Sequence, residues 1–193
     1  MTARDTRLKI AFASRRLLDT EGSDAVTMRR VAEAAGVTAM AIYRHYPGRD
    51  ALLNALADEG FQELATDLKG HRFTGDAETR LGKMTDLHLD HALANPRLFE
   101  LMFLKPRMGA GQYPRDFREG NSPTASLMAG VIAEGMASRE FKTDDHWEIS
   151  FEMGALSHGL ILLYLGGRMD MTAAAFRALY RRSFRRYFEG IRA

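Results

Sequence analysis

The chain has 193 residues, with 27 Lys and Arg against 25 Asp and Glu, so its formal charge is only +2 and any affinity for nucleic acid has to come from local charge. Residues 1–50 hold nine basic and six acidic side chains, whereas residues 51–193 hold eighteen and nineteen, so a small basic segment precedes a larger, nearly neutral one. At 46% hydrophobic and 27% charged the composition suits a globular chain, and the absence of cysteine excludes disulfides, iron–sulfur clusters, thiol catalysis and cysteine-ligated zinc. The apolar run 153–167 is interrupted by His158 and falls short of the roughly 20 residues of a membrane span. The first residues alternate in charge (Arg4, Asp5, Arg7, Lys9) where a secretory signal needs an apolar run, which predicts a cytoplasmic protein.

Apolar residues recur at intervals of three and four, with Gly and Pro as punctuation and no alternating strand pattern, so the expected fold class is all-α. A first helix is expected over 4–20, with Leu8, Ala11, Phe12 and Leu18 as its inner stripe and Gly22 as its stop. Thr27 caps a short helix over 28–35 that ends at Gly36, and Thr38 caps another over 39–46 that ends at Pro47-Gly48. After Arg49 comes a longer amphipathic helix, with Leu52, Leu53, Leu56, Phe61, Leu64 and Leu68 in phase, ending near Gly70. The period repeats over 76–94 with Leu81, Met84, Leu87, His88 and His91, and Asn95-Pro96 breaks it before a short helix over 97–104. Residues 105–123 contain three of the five prolines with Gly109, Gly111 and Gly120, so they are expected to form a loop long enough to act as a gate. Ser122-Pro123 opens a helix to about Ser138, and helices over 144–165 and 172–189 complete an expected nine.

Two capped short helices around a Gly36-Val37 turn, on a basic segment with another helix in front, have the layout of a helix-turn-helix. In that motif the second helix enters the major groove and the first crosses the phosphate backbone. Val26, Val31, Val37 and Ile42 complete its small core. Thr38, Ala39 and Met40 open the recognition helix, Arg29 projects from the helix before it, and Tyr43, Arg44, His45 and Arg49 offer donors to phosphate oxygens. The expected division is a DNA-binding domain over 1–48 and a helical ligand-binding and dimerisation domain over 49–193.

The run Ala32-Glu33-Ala34-Ala35-Gly36-Val37-Thr38, followed by Ala41-Ile42-Tyr43-Arg44-His45-Tyr46 and Arg49-Asp50-Ala51-Leu52-Leu53, resembles the N-terminal signature of the TetR family of bacterial transcriptional regulators. The resemblance covers roughly residues 5 to 58, and the helix count further on agrees with the family's architecture. It implies a homodimer that binds a palindromic double-stranded DNA operator and is released by a small molecule held in the C-terminal domain. It also implies base contacts at Arg29, Thr38, Ala39 and Met40, and phosphate contacts at Thr27, Tyr43, His45 and Arg49. Arg49 stands where the family usually has Lys, and Pro47 precedes the turn. Residues 153–160 resemble the Trp-x-x-x-His-Gly region of one C-terminal subgroup, with Met153 and Gly154 in the region of the Trp.

For the effector, the candidate lining is Met84, His88, His91, Phe103, Met128, Phe151 and His158, since soft and aromatic side chains suit an apolar or aromatic ligand. His88 and His91 share a helix face and can be read as metal ligands, as pocket-lining hydrogen-bonding groups or as packed histidines; no third metal ligand is indicated, and neither a metal nor a cofactor is expected. Most other Met and Phe side chains, Met108 among them, read as core. On the last helix an aromatic face with Phe176, Tyr180, Phe184 and Phe188 is either monomer core or dimer interface. The resemblance favours the interface, together with Phe151, Gly154, Gly159 and Leu162. The arginines around it read as solvated or salt-bridged. Rival readings are an architectural protein that binds DNA without sequence choice, and a hydrolase using His158 or the His88 and His91 pair; no Gly-x-Ser-x-Gly, His-Glu-x-x-His or phosphate-cradling loop supports an enzyme.

Overall fold

The computed structural model describes residues 3–107 and 109–193, so Met108 lies outside the described residues. The described residues form ten α-helices: α1 (Ala3–Glu21), α2 (Met28–Ala35), α3 (Ala39–Tyr43), α4 (Arg49–Gly70), α5 (Ala77–Ala94), α6 (Pro96–Phe103), α7 (Arg115–Arg118), α8 (Pro123–Ala137), α9 (His146–Leu165) and α10 (Ala173–Ile191). A 3-10 turn, Ser23–Ala25, links α1 to α2. The fold is all-α, and the only strand-like pairing among the described residues is an isolated bridge between Phe141 and Arg192. The helix beyond the expected nine is α7, a single turn inside the 105–123 segment.

The chain divides into two compact units, Met1–Glu63 with Asn95–Ala110, and Leu64–Ala94 with Gly111–Ala193. The first unit therefore extends past residue 48 to take in most of α4 and all of α6. Its core side of α1 is formed by Ile10, Ala13, Ser14, Leu17 and Leu18. Leu8 and Phe12, expected on the inner stripe, point outward at 63% and 72% exposure. Both faces of α1 carry apolar residues, and the buried one includes the polar Thr6 and Ser14, which hides the true phase from a count of hydrophobic side chains. Side chains of α6 pack closely on α4 at Gly60, where a Cβ would lie 2.7 Å from Met102 Sδ. Phe61 meets the Phe103 ring edge-on at 5.2 Å, and the Arg107 guanidinium sits 5.0 Å above the Phe61 ring while bonding Asp58 at 2.8 Å.

In the second unit α8 packs on α5 and α9, and α10 packs on α5 and α9. Phe176, Tyr180, Phe184 and Phe188, four apart along α10, are at most 3% exposed within this single chain. Of the two readings of that aromatic face the structure takes the core, because α5 and α9 already cover it; these four side chains leave no surface for a second copy. Two of the arginines beside them are paired, Arg177 with Asp90 and Arg181 with Asp86 at 2.9 Å. Glycine is required at Gly135, where a Cβ would lie 2.5 Å from the Phe141 ring and 2.8 Å from Ala77. No described helix is long and apolar enough to cross a membrane.

Candidate nucleic-acid interface and buried histidine pair

Local chemistry builds the helix-turn-helix. Thr27 Oγ1 accepts from the Arg30 N–H at 3.3 Å and starts α2, and Gly36, at φ 64°, ends it in the left-handed conformation that glycine adopts at least cost. Thr38 Oγ1 then accepts from the Ala41 N–H at 3.2 Å and starts α3. Val26, Val31 and Ile42 are fully buried beneath the two helices, and Tyr46 nearly so, so the motif has a small dry core of its own.

On its outside stand most of the residues expected to touch DNA. Arg29, Thr38, Ala39, Met40, Tyr43 and Arg44 are exposed, while Thr27 and His45 are half-buried. Met40 and Tyr43 are the conspicuous ones, apolar or aromatic side chains left 66% and 51% in water. Arg30 is tied to Glu21 by two bonds of 2.7 and 2.9 Å. Arg29 and Arg44, by contrast, have no carboxylate within ion-pairing distance among the described residues, so their charge is available to a phosphate or a guanine edge. Arg49 is placed differently. Its guanidinium turns back into the protein, Nε donating to Val26 O at 2.9 Å and Nη2 to Ser23 O at 2.7 Å, with Asp24 Oδ1 at 3.6 Å from Nη2. Position in the sequence marks a cation at the start of α4, but not the two carbonyls folded within its reach.

The second unit holds six of the seven expected ligand-lining residues, and Phe103 belongs to the first, packed on Phe61 and Phe99. His88 of α5 and His158 of α9 face each other with ring centroids 5.4 Å apart. Burial, with the neighbouring His158 and His91, pushes the His88 imidazole down to about 3, and burial pushes His158 to about 4. Both rings are therefore neutral near pH 7. Each ring is half-buried and has protein around most of it. Met84 is buried and Met128 half-buried. His91 is buried with its Nδ1 3.9 Å from Asp67 Oδ2, and among the described residues no three His, Asp or Glu side chains are grouped to hold a metal ion.

Phe151 is 41% exposed, stacked on Tyr113 at 4.2 Å and edge-on to Phe117 at 5.7 Å. Those two rings come from the expected loop, whose α7 is also fastened by the Arg118–Asp145 ion pair to the residue that caps α9. Sequence reasoning left this cluster out, because the partners of Phe151 are about 35 residues away and in a stretch marked only by Pro and Gly. On α9, Gly159 and Leu163 are exposed, and Gly154 and Leu162 half-buried.

Residues 10–56 match the family described as bacterial regulatory proteins, tetR family, and residues 81–187 match the tetracyclin repressor-like C-terminal domain. Among solved structures, a protein of unknown function from Rhodococcus sp. RHA1 is 24% identical, with 97% of this chain and 96% of that one aligned at a TM-score of 0.80. The fatty acid degradation regulator FadR from Bacillus halodurans is 16% identical, covering 96% and 100%, at 0.73. A TetR variant from Acinetobacter baumannii AYE in complex with minocycline is 18% identical, covering 94% and 93%, at 0.67. At these identities the likeness shows the fold. No curated protein sequence matches the chain. The two family matches, which between them span the helix-turn-helix and most of the second unit, make this chain a member of the TetR family and a DNA-binding transcription regulator.

Proposed function

We propose that the chain is a ligand-responsive repressor, a cytoplasmic homodimer that leaves a palindromic operator when a small, neutral, apolar or aromatic effector binds in the second unit. The observation that carries the DNA half is the outer face of the capped helix pair, where Arg29 and Arg44 are exposed with no carboxylate within ion-pairing distance among the described residues. Arg29, Thr38, Ala39 and Met40 are the base-reading residues, and Thr27, Tyr43, Arg44 and His45 meet phosphates. The effector half rests on the His88 and His158 pair. Two facing neutral imidazoles place aromatic, uncharged surface there, which suits an uncharged and largely apolar molecule. Met84, Met128 and His91 complete that site, with Phe151 at its rim. FadR and the minocycline-bound TetR variant show the same fold in proteins named for fatty acid degradation and holding a small molecule.

A second copy docks on the face of α9 that this chain leaves open, at Gly154, Gly159, Leu162 and Leu163, where a Cβ at Gly159 would meet nothing within 4 Å. The test is selection of bound sequences from random duplex DNA, followed by a thermal-shift screen of the purified protein against small apolar and aromatic compounds. An inverted repeat and a compound that both raises the melting temperature and releases the selected duplex support the proposal. Selection that retains no inverted repeat overturns the operator, and compounds that stabilise without releasing DNA overturn the coupling.

A further inference from the structure

Arg49 is the first residue of α4, where a positive charge faces the positive end of the helix dipole and gains nothing from it. The side chain compensates by turning back onto the chain before α2. It donates through one edge of its planar fork, Nε to Val26 O at 2.9 Å and Nη2 to Ser23 O at 2.7 Å, with Asp24 3.6 Å from Nη2. Those carbonyls belong to the 3-10 turn and to its closing residue, Val26, which is itself fully buried. Thr27, the residue after Val26, caps α2, and Arg29 stands in the first turn that it starts. A single guanidinium therefore spans 26 residues of sequence to join the start of α4 to the start of α2.

We propose that Arg49 is a positioning residue for DNA recognition: it fixes the entry to α2, and with it Thr27 and Arg29, and does not supply phosphate-neutralising charge. Lysine at this position would keep the charge but not the role, because its donors radiate from one atom on a flexible stem and lack the rigid pair that Nε and Nη2 direct at separate carbonyls. The inference rests on the regulator reading above and concerns how its DNA-binding surface is held.

The experiment uses the full chain and the duplex that the wild type selects from random DNA, with a scrambled duplex as control. Dissociation constants for wild type, Arg49→Lys and Arg49→Ala are measured from roughly 50 to 300 mM salt, well below each protein's melting midpoint. Both variants are expected to lose about tenfold or more on the selected duplex, the size of a lost base contact, with binding to the scrambled duplex and the salt slope unchanged. Arg49→Lys keeps the charge and the stem, so it carries the comparison if Arg49→Ala does not fold. Wild-type binding by Arg49→Lys, with Arg49→Ala weaker on both duplexes and its salt slope flatter by about one per protomer, overturns the inference in favour of a phosphate contact. Lower melting midpoints with an unchanged ratio between the duplexes overturn it in favour of plain stability. A wild type that prefers no sequence overturns the regulator reading itself, and this inference with it.

Discussion

Ser157 Oγ and Tyr180 Oη lie 2.7 Å apart in the core of the second unit, and the same tyrosine hydroxyl donates to the Thr85 carbonyl at 3.2 Å, so α9, α10 and α5 share one buried polar junction. Burial pushes the Tyr180 phenol up, which keeps it a neutral donor across the physiological range. Tyr180→Phe keeps the ring, deprives the buried Ser157 hydroxyl of its partner and removes the bond to the Thr85 carbonyl, so it is expected to cost about 1–3 kcal/mol of stability by urea denaturation. Adding Ser157→Ala to it is expected to cost less than the two single changes together. Additive losses would mean that the hydroxyls do not act as a unit.

Leu163, 48% exposed on α9, and Phe184, 2% exposed on α10, distinguish the proposed dimer face from the core. Leu163→Glu is expected to give a folded monomer, read by light scattering with an unchanged helical circular dichroism spectrum. Phe184→Glu is expected to lose the fold, since it places a charge among Tyr180 and Phe188. A Leu163→Glu protein that remains dimeric would move the interface off this face.

His88 and His158 bear on acid stability. Their folded-state values, about 3 and about 4, lie below the ordinary 6.5, so the unfolded chain takes up protons first as the pH falls. The stability of the neutral rings is full above about pH 6.5 and is lost progressively below it, reaching about 2 kcal/mol for each histidine at pH 5. Urea midpoints at pH 7.5 and 5 are expected to differ more in the wild type than in His88→Gln. Equal differences would mean that His88 titrates normally.

Met40, 66% exposed at the start of α3, has an apolar side chain suited to a thymine methyl. Substituting deoxyuridine for the contacted thymine removes that methyl and is expected to weaken wild-type binding by about 1 kcal/mol. Met40→Ala should be insensitive to the same change. Arg29→Ala is expected to cost about 1–3 kcal/mol and to relax selection at a guanine. Thymine-to-deoxyuridine effects of the same size in Met40→Ala would assign the methyl to another residue.

The helix-turn-helix was legible in the sequence because its signals are local. Thr27, Gly36 and Thr38 cap or stop helices through bonds within four residues, and spacing reveals them. What the sequence left open depends on partners far along the chain. The aromatic repeat of α10 is plain at intervals of four, but whether its own chain or a second copy covers it depends on α5 and α9. The same holds for Arg49, whose carbonyl acceptors lie 23 and 26 residues away, and for Phe151, which meets rings from the proline-rich segment. On α1 the difficulty was one of phase, since Leu8 and Phe12 mark the wet face as strongly as Ile10 and Leu17 mark the dry one.

The first unit is discontinuous, and this bears on how such a regulator can be recombined. Because Leu98 and Met102 pack against Gly60, and Arg107 covers Phe61 and bonds Asp58, the residues that complete α4 are encoded some forty positions downstream of it. A single crossover after Glu63 would transplant the DNA-reading helices while stripping the flank of the helix that carries them. A chimera that keeps the DNA-binding helices with a different second unit therefore needs two segments, Met1–Glu63 and Asn95–Ala110, inherited together.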